Sequence, residues 1–167
     1  MVAETKQDAL KLLTEDHRAV EKLFEQFEKA SEGKKEELAG RICTELKIHA
    51  MLEEEIFYPA LRGKIEDEDL DEALVEHDGA KVLINEIAAG GGDDDFFDAK
   101  VKVLQEQVEH HIEEEEKQRG NIFTQARKTD VDLEALGERM AARKAELLAQ
   151  AESEGLPPAT TKTMETI

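Results

Sequence analysis

The sequence has little cysteine, proline or aromatic side chain, and it has no long apolar run. Its single cysteine, Cys43, rules out an internal disulfide framework and fits a reducing compartment. No uninterrupted apolar stretch is long enough to span a bilayer, and the first residues, MVAETKQDALKLL, lack the basic and apolar regions of a signal peptide. These absences predict a cytoplasmic protein that does not interact with membranes.

Acidic residues outnumber basic residues by 41 to 22, which gives a net charge of −19. Such a surface repels nucleic acid and anionic membranes, so neither is expected as a partner. Leucine, alanine, glutamate and lysine dominate, whereas β-branched residues are sparse and proline is nearly absent before the C-terminal end. This composition favours an all-α fold, and 167 residues are enough for one domain with a real core.

Residues 1–128 contain four long helical patterns with short connections. The first three run from about residue 5 to 30, 35 to 61 and 69 to 89. The aspartates of GGGDDD are placed to cap the fourth, which Gly120 is expected to interrupt. The pattern predicts an antiparallel up-down-up-down four-helix bundle.

An additional C-terminal helix is predicted within residues 129–154, from about Asp130 to Ser153. Its partial apolar stripe can dock on the bundle or on a second subunit, which would give a homodimer. Residues 155–167 are expected to form a flexible tail.

Each of the four bundle helices carries one histidine on its apolar stripe: His17, His49, His77 and His111. His110 is rotated about 100° from that stripe and should be peripheral. In an antiparallel bundle, residues equidistant from a connecting loop lie at similar heights. The midpoints between successive stripe histidines fall at residues 33, 63 and 94, all in predicted loops. The four imidazoles are therefore expected to share one layer.

Two glutamates follow these histidines by one helical turn. Glu53 lies four residues after His49, and Glu115 lies four residues after His111, so each pair projects from one helix face. Burying these groups without partners would be costly, and metal ions offset that cost. Mixed nitrogen and oxygen ligands suit iron or manganese. His110 with Glu114 has the same spacing and remains a less favoured alternative, while the rest of the EEEE run is expected to face solvent.

Four elements, in order, resemble the hemerythrin-like, or HHE cation-binding, family: TEDHRAVEKLF, HAMLEEEIFYP, VEHDGAK and HHIEEEEKQ. The resemblance spans roughly residues 8–128. It implies a four-helix bundle with two non-haem iron ions bridged by oxo, hydroxo or peroxo. It also implies terminal histidine ligands and bridging carboxylates, and these are His17, His49, His77 and His111, with Glu53 and Glu115.

The sequence departs from the oxygen-carrying hemerythrins on the third helix. Those proteins have a second histidine one turn from the first, whereas Ala73 and Lys81 lie at that spacing from His77. One iron would then have an open position or recruit another donor. The resemblance implies binding of dioxygen, nitric oxide or related small oxidants, for sensing, storage or scavenging. The alternatives are a peroxide-decomposing enzyme, with catalase- or peroxidase-like activity, and an iron-storage or metal-binding protein.

Overall fold

The computed structural model describes residues 8–164, and within them it contains helices and turns but no strand. The helices are α1 (Ala9–Lys29), α2 (Glu32–Leu52), α3 (Tyr58–Leu61), α4 (Asp67–Gly90), α5 (Phe97–Ile112), α6 (Ile122–Arg127) and α7 (Leu133–Ser153). Two π-helical turns, Glu53–Phe57 and Glu113–Lys117, continue α2 and α5. None of the described helices combines the length and the apolar character that a bilayer crossing needs.

Helices α1, α2, α4 and α5 form the predicted four-helix bundle, with α1 against α2, α2 against α4, α4 against α5, and α5 against α1. Gly120, with φ of 74°, lies in the turn that ends the fourth helical segment, as expected. The predicted cap of α5 is wrong in detail, because Phe96 holds the N-cap position. Asp94 instead accepts the Phe96 backbone N–H at 2.9 Å and pairs with Lys100. The expected helical residues 5–7 lie outside the described part of the chain.

The apolar core is divided into two clusters. One contains Leu13, Leu52 and Phe57, and the other contains Phe24 and Leu104. Buried polar side chains lie along the same bundle helices, including the four stripe histidines. The apolar clusters hold the bundle together and so fix the helix positions around the polar layer.

Helix α7 docks on α1 and α2 of its own bundle. Leu136, Met140 and Leu147 are buried, and Lys144 donates to Asp16 of α1 at 2.6 Å. The sequence left open whether this apolar stripe packs on the bundle or on a second subunit. In the structure the stripe packs on the bundle of the same chain.

Residues 155–164 are the described part of the segment that was predicted to be a flexible tail, and they contact the bundle. Residues 155–164 lie along the bundle and are tied to it by side chains of α2 and α4. Asn85 exchanges two hydrogen bonds with the Ala159 backbone, at 2.8 and 2.9 Å. Asp78 accepts the backbone N–H groups of Lys162 and Thr163. Partners on the bundle, rather than helix propensity, position this segment. Residues 165–167 lie outside the described part.

Candidate metal centre

The structure brings all six predicted ligand residues into one buried layer. They form two groups, each with three candidate ligand atoms within 4.8 Å of one another. His17 and His49 group with Glu115, and His77 and His111 group with Glu53. Both glutamates are fully buried.

Each of the two glutamates contacts histidines of both groups. Glu115 has Oε1 at 3.3 Å from Nε2 of His17 and Oε2 at 3.0 Å from Nε2 of His111. Glu53 has Oε1 at 3.2 Å from Nε2 of His49 and 3.0 Å from Nε2 of His77. Each carboxylate is therefore close to histidines of both groups.

Both glutamates lie in the π-helical turns that follow α2 and α5. The backbone N–H of Tyr58 donates to the Glu53 carbonyl, five residues back, and Gln118 makes the equivalent bond to Glu113. In a regular α-helix a residue five positions on lies about 140° round the axis from its predecessor. The wider turn reduces that angle, and it brings Tyr58 to the face of the helix that carries Glu53.

Tyr58 is a residue of the centre that the sequence pattern did not identify. Its hydroxyl donates to Glu115 Oε2 at 2.6 Å and lies 3.4 Å from Nε2 of both His77 and His111. Burial and the negative charges of Glu115 and Glu53 raise its pKa well above 10. Tyr58 therefore stays protonated and acts as a hydrogen-bond donor. A uniform period of 3.6 residues does not place Tyr58 on the ligand face, because the π-helical turn just before Tyr58 changes the helical register.

A ring of carboxylates orients the four histidines. Each Nδ1 contacts a carboxylate from the neighbouring helix of the bundle, and each Nε2 is left for the centre. The pairs are His49 with Asp16 at 3.1 Å, His77 with Glu54 at 2.8 Å, His111 with Glu76 at 2.9 Å and His17 with Glu116 at 2.9 Å. The contacts close into a ring. Asp16 of α1 contacts the histidine of α2, and Glu54 in the turn after α2 contacts that of α4. Glu76 of α4 contacts the histidine of α5, and Glu116 in the turn after α5 contacts that of α1.

The sequence reasoning missed these four carboxylates. The run containing Glu116 was expected to face solvent apart from Glu115, but Glu116 is almost buried against His17. A signal was available, because every ring carboxylate is the sequence neighbour of a predicted ligand. Asp16 precedes His17, and Glu54 follows Glu53.

Opposing effects set the protonation of the buried imidazoles. Burial acts to lower the pKa of His49, but Glu53 and Asp16 outweigh it and raise the pKa to about 10. Burial likewise opposes the charge on Glu53, while His49, His111 and His77 lower its pKa well below 4.5. Without metal, His49 and Glu53 therefore attract each other electrostatically across the centre.

Several atoms that face this centre have no hydrogen-bond partner among the described residues. They are His17 Nε2, His49 Nε2, both carboxylate oxygens of Glu53 and Glu115 Oε1, and all are buried. Buried polar atoms are nearly always satisfied, so this concentration of unsatisfied ones points to a missing ligand. Nitrogen and carboxylate oxygen donors divided into two groups fit two transition-metal cations.

The alternative pair, His110 and Glu114, lies outside the centre. The side chain of His110 is 60% exposed and contacts Glu76 and Glu114, whereas His111 is buried in the centre. Lys81 contacts Glu54, Asp78 and the Thr160 carbonyl, so its ammonium group supports the ring carboxylate of His77. The buried Ala73 offers no donor atom.

Two cavities reach the layer from different sides. The larger, of about 210 Å³, touches all four stripe histidines, and its surface is mainly apolar, although charged side chains also line it. Residues 156–160 form part of its outer wall. The smaller, of about 140 Å³, is polar and touches His111 and Glu115. The centre is therefore accessible to a small molecule on one side and to polar species on the other.

Two histidine pairs joined by two buried carboxylates within a four-helix bundle define a candidate dinuclear metal protein. Residues 8–119 match the hemerythrin HHE cation binding domain, and the chain belongs to that family. Metal-cation binding of the hemerythrin type is the function that this membership indicates.

Two comparisons with individual proteins accompany the family match. The crystal structure of a hemerythrin HHE cation binding domain-containing protein from Mycobacterium kansasii has a TM-score of 0.72 and 24% identity, covering 93% of this chain and 96% of that chain. This likeness supports the fold, including the helix beyond the bundle. A DNA nickase from Nostoc sp. (strain PCC 7120) is 31% identical over 111 residues. The match covers 66% of this chain but 31% of that protein.

Proposed function

We propose that the chain holds two iron ions in the buried layer and uses them to bind dioxygen, nitric oxide or a related small oxidant. The observation that carries the proposal is the orientation of the histidines. All four Nδ1 atoms are engaged by carboxylates, so four Nε2 atoms and two carboxylates are left to face one centre. One ion would be held by His17 and His49, and the other by His77 and His111. Glu53 and Glu115 would lie between them.

Iron would supply one-electron redox chemistry and an affinity for diatomic ligands that no side chain of the centre provides. The chain supplies the surroundings. The mainly apolar surface of the larger cavity suits a small uncharged molecule that approaches the histidine layer. Its volume of about 210 Å³ exceeds the roughly 10–15 Å³ that a cavity needs to hold one water molecule, so a diatomic molecule fits.

A second candidate, peroxide decomposition, is favoured by Tyr58. Its protonated hydroxyl lies in the centre on the side of His77, where the third helix lacks a second histidine. A proton donor at this position suits cleavage of an oxygen–oxygen bond. Tyr58→Phe keeps the ring and removes the proton, so it would slow peroxide consumption while leaving metal content unchanged.

DNA nicking is not part of the proposal. The Nostoc relative is about three times as long as the matched segment, and its named activity need not reside there. The net charge of −19 on this chain opposes contact with a phosphate backbone.

The test is metal analysis and visible absorption of protein purified without oxygen, then exposed to air and afterwards to peroxide. We call the buried layer of six predicted ligand residues the inner layer. We expect it to hold two irons per chain, and we expect the absorption to change on exposure to air. A stable spectrum favours ligand binding, whereas repeated turnover with oxygen release favours peroxide decomposition.

His49→Ala or Glu53→Ala should abolish the paired site, and His110→Ala should preserve it. One redox-silent zinc per chain would rule out the di-iron proposal.

A further inference from the structure

The four ring carboxylates differ in the positively charged side chains that they contact. Lys144 contacts Asp16, Lys81 contacts Glu54, and Arg18 contacts Glu116. Three corners of the ring thus pair a carboxylate with a lysine or an arginine side chain. Among residues 8–164, the ion-pair partners of Glu76 are two imidazoles, His111 on its inner side and His110 on its outer side. One corner of the ring therefore lacks a permanent cation.

A second carboxylate lies at the same corner. His110 Nε2 is 3.2 Å from Glu76 Oε2 and 3.0 Å from Glu114 Oε1. One atom of each of the three residues lies within 4.8 Å of the others, in a third group separate from the two inner ones. His110 and Glu114 are four residues apart and project together, while Glu76 reaches them from α4. Two carboxylates around one imidazole leave an excess of negative charge.

The polar cavity beside this group connects it with the inner layer. Its walls include Glu76 and Glu114 near the outer group, and His111 and Glu115 at the inner layer. Glu115 is fully buried and lies at the inner end of this cavity. Asp69 and Glu72 add acidic groups to the wall, against one basic residue, Arg119. This lining attracts cations and disfavours anions.

We propose that Glu76, His110 and Glu114 form an outer site for a divalent transition-metal cation, at the mouth of the polar cavity that leads to the inner layer. One nitrogen and two carboxylate oxygens suit such a cation, and exposure leaves room for water ligands. The cation occupies the place that a lysine or arginine holds at the other three corners.

The outer site is also connected to the inner layer through a shared carboxylate. Glu76 contacts His110 through Oε2 and His111 through Oε1, so a single carboxylate joins an outer ligand to an inner one. A cation bound there lies beside Glu76 and Glu114, which line the cavity that reaches His111 and Glu115. The outer site therefore captures metal and hastens its transfer to the inner layer, and this loading role rests on the function proposed above.

The test uses the full chain stripped of metal and titrated with Co²⁺ alone. Equilibrium dialysis counts bound ions, and visible absorption follows the rate at which the inner layer fills. We expect three equivalents, the third being weaker. His110→Ala and Glu114→Gln should each remove the third equivalent, keep two, and slow inner filling by about tenfold, because cation capture is lost. Glu109→Gln is the matched control, since it removes one exposed charge from α5 outside the group and should leave three equivalents.

The outcomes separate the outer site from the inner one. If the parent chain binds one ion, and His110→Ala removes it, the outer site stands and the di-iron proposal fails. Two equivalents in the parent, or a third that survives in His110→Ala, would overturn the outer site. So would a third ion that binds only at millimolar Co²⁺ and is weakened equally by Glu109→Gln, since that is the behaviour of a generally acidic surface.

Discussion

At the level of single residues, the centre depends on the direction of each imidazole as much as on its presence. A histidine on an apolar stripe can rotate, and either ring nitrogen can face a metal. Here a carboxylate contacts each Nδ1, which fixes the ring and leaves Nε2 for the centre. Asp16, Glu54 and Glu116 each contact a lysine or an arginine as well, which offsets the cost of burying their charge.

Glu54 offers a direct test of this arrangement, because its sequence neighbour is a matched control. Glu54 contacts His77 and Lys81 below the surface, whereas Glu55 pairs with Arg143 at the surface. Glu54→Gln should lower metal affinity by about 10–100-fold, as loss of a carboxylate behind a histidine ligand generally does. Glu55→Gln should leave it unchanged. Competition with a chromophoric chelator measures both, and equal affinities for the two variants would contradict the orienting role.

The raised pKa of His49 predicts how metal binding changes with pH. Its value of about 10 lies above 6.5, the ordinary value of a histidine, so its charge stabilises the metal-free fold fully below pH 6.5. That stabilisation is lost as the pH rises towards 10. A metal needs the neutral imidazole and displaces the proton, so its affinity increases over the same range. Glu53 stays ionised throughout, because its pKa is lowered well below 4.5.

We therefore expect the difference in melting temperature between metal-loaded and metal-free protein to widen from about pH 6 to pH 9. Thermal unfolding of both forms in matched buffers measures it. A difference that narrows with rising pH would show that protonated imidazoles do not compete with the metal. A chelator added to the metal-loaded sample provides the control.

At the level of secondary structure, the sequence predicted most of the bundle because its connections are short. Depth could be inferred from loop midpoints, and all six predicted residues lie in one layer. The π-helical turns could not be predicted from the sequence. The extra residue in each turn depends on tertiary contacts around the site and leaves no local sequence pattern. Tyr58 was missed for that reason. The ring carboxylates were missed because a charged residue beside a ligand resembles an ordinary solvated face.

Helix α7 supports the bundle from outside the metal layer, and Met140 tests that separation. Met140 is fully buried among the residues of one apolar cluster, so Met140→Ala should lower the free energy of unfolding by roughly 2–5 kcal/mol. Metal stoichiometry should not change, because no inner ligand lies on α7. Leu148→Ala, on the exposed side of the same helix, should cost less than about 0.5 kcal/mol. Denaturant titration and metal analysis together check it, and loss of metal in Met140→Ala would show that α7 positions the centre directly.

At the scale of the whole molecule, the centre has two unlike sides. The polar cavity, with its acidic walls, suits the arrival of cations. The apolar cavity suits an uncharged oxidant and is covered by the C-terminal segment. Under the proposed function, cations would arrive through the polar cavity and the oxidant through the apolar one.

The C-terminal segment should therefore control access without contributing to metal binding. Its contacts with Asp78, Lys81 and Asn85 lie outside the inner layer, although Lys81 also supports Glu54. Removing residues 155–167 should leave two inner irons per chain and increase the rate at which nitric oxide reaches them. Asn85→Ala should have a smaller effect in the same direction, because it removes two of the hydrogen bonds and keeps the segment. Stopped-flow absorption measures both rates. Unchanged nitric oxide kinetics with unchanged iron would mean that the oxidant enters elsewhere, whereas loss of iron would mean that the segment holds the ligands in place through Lys81 and Glu54.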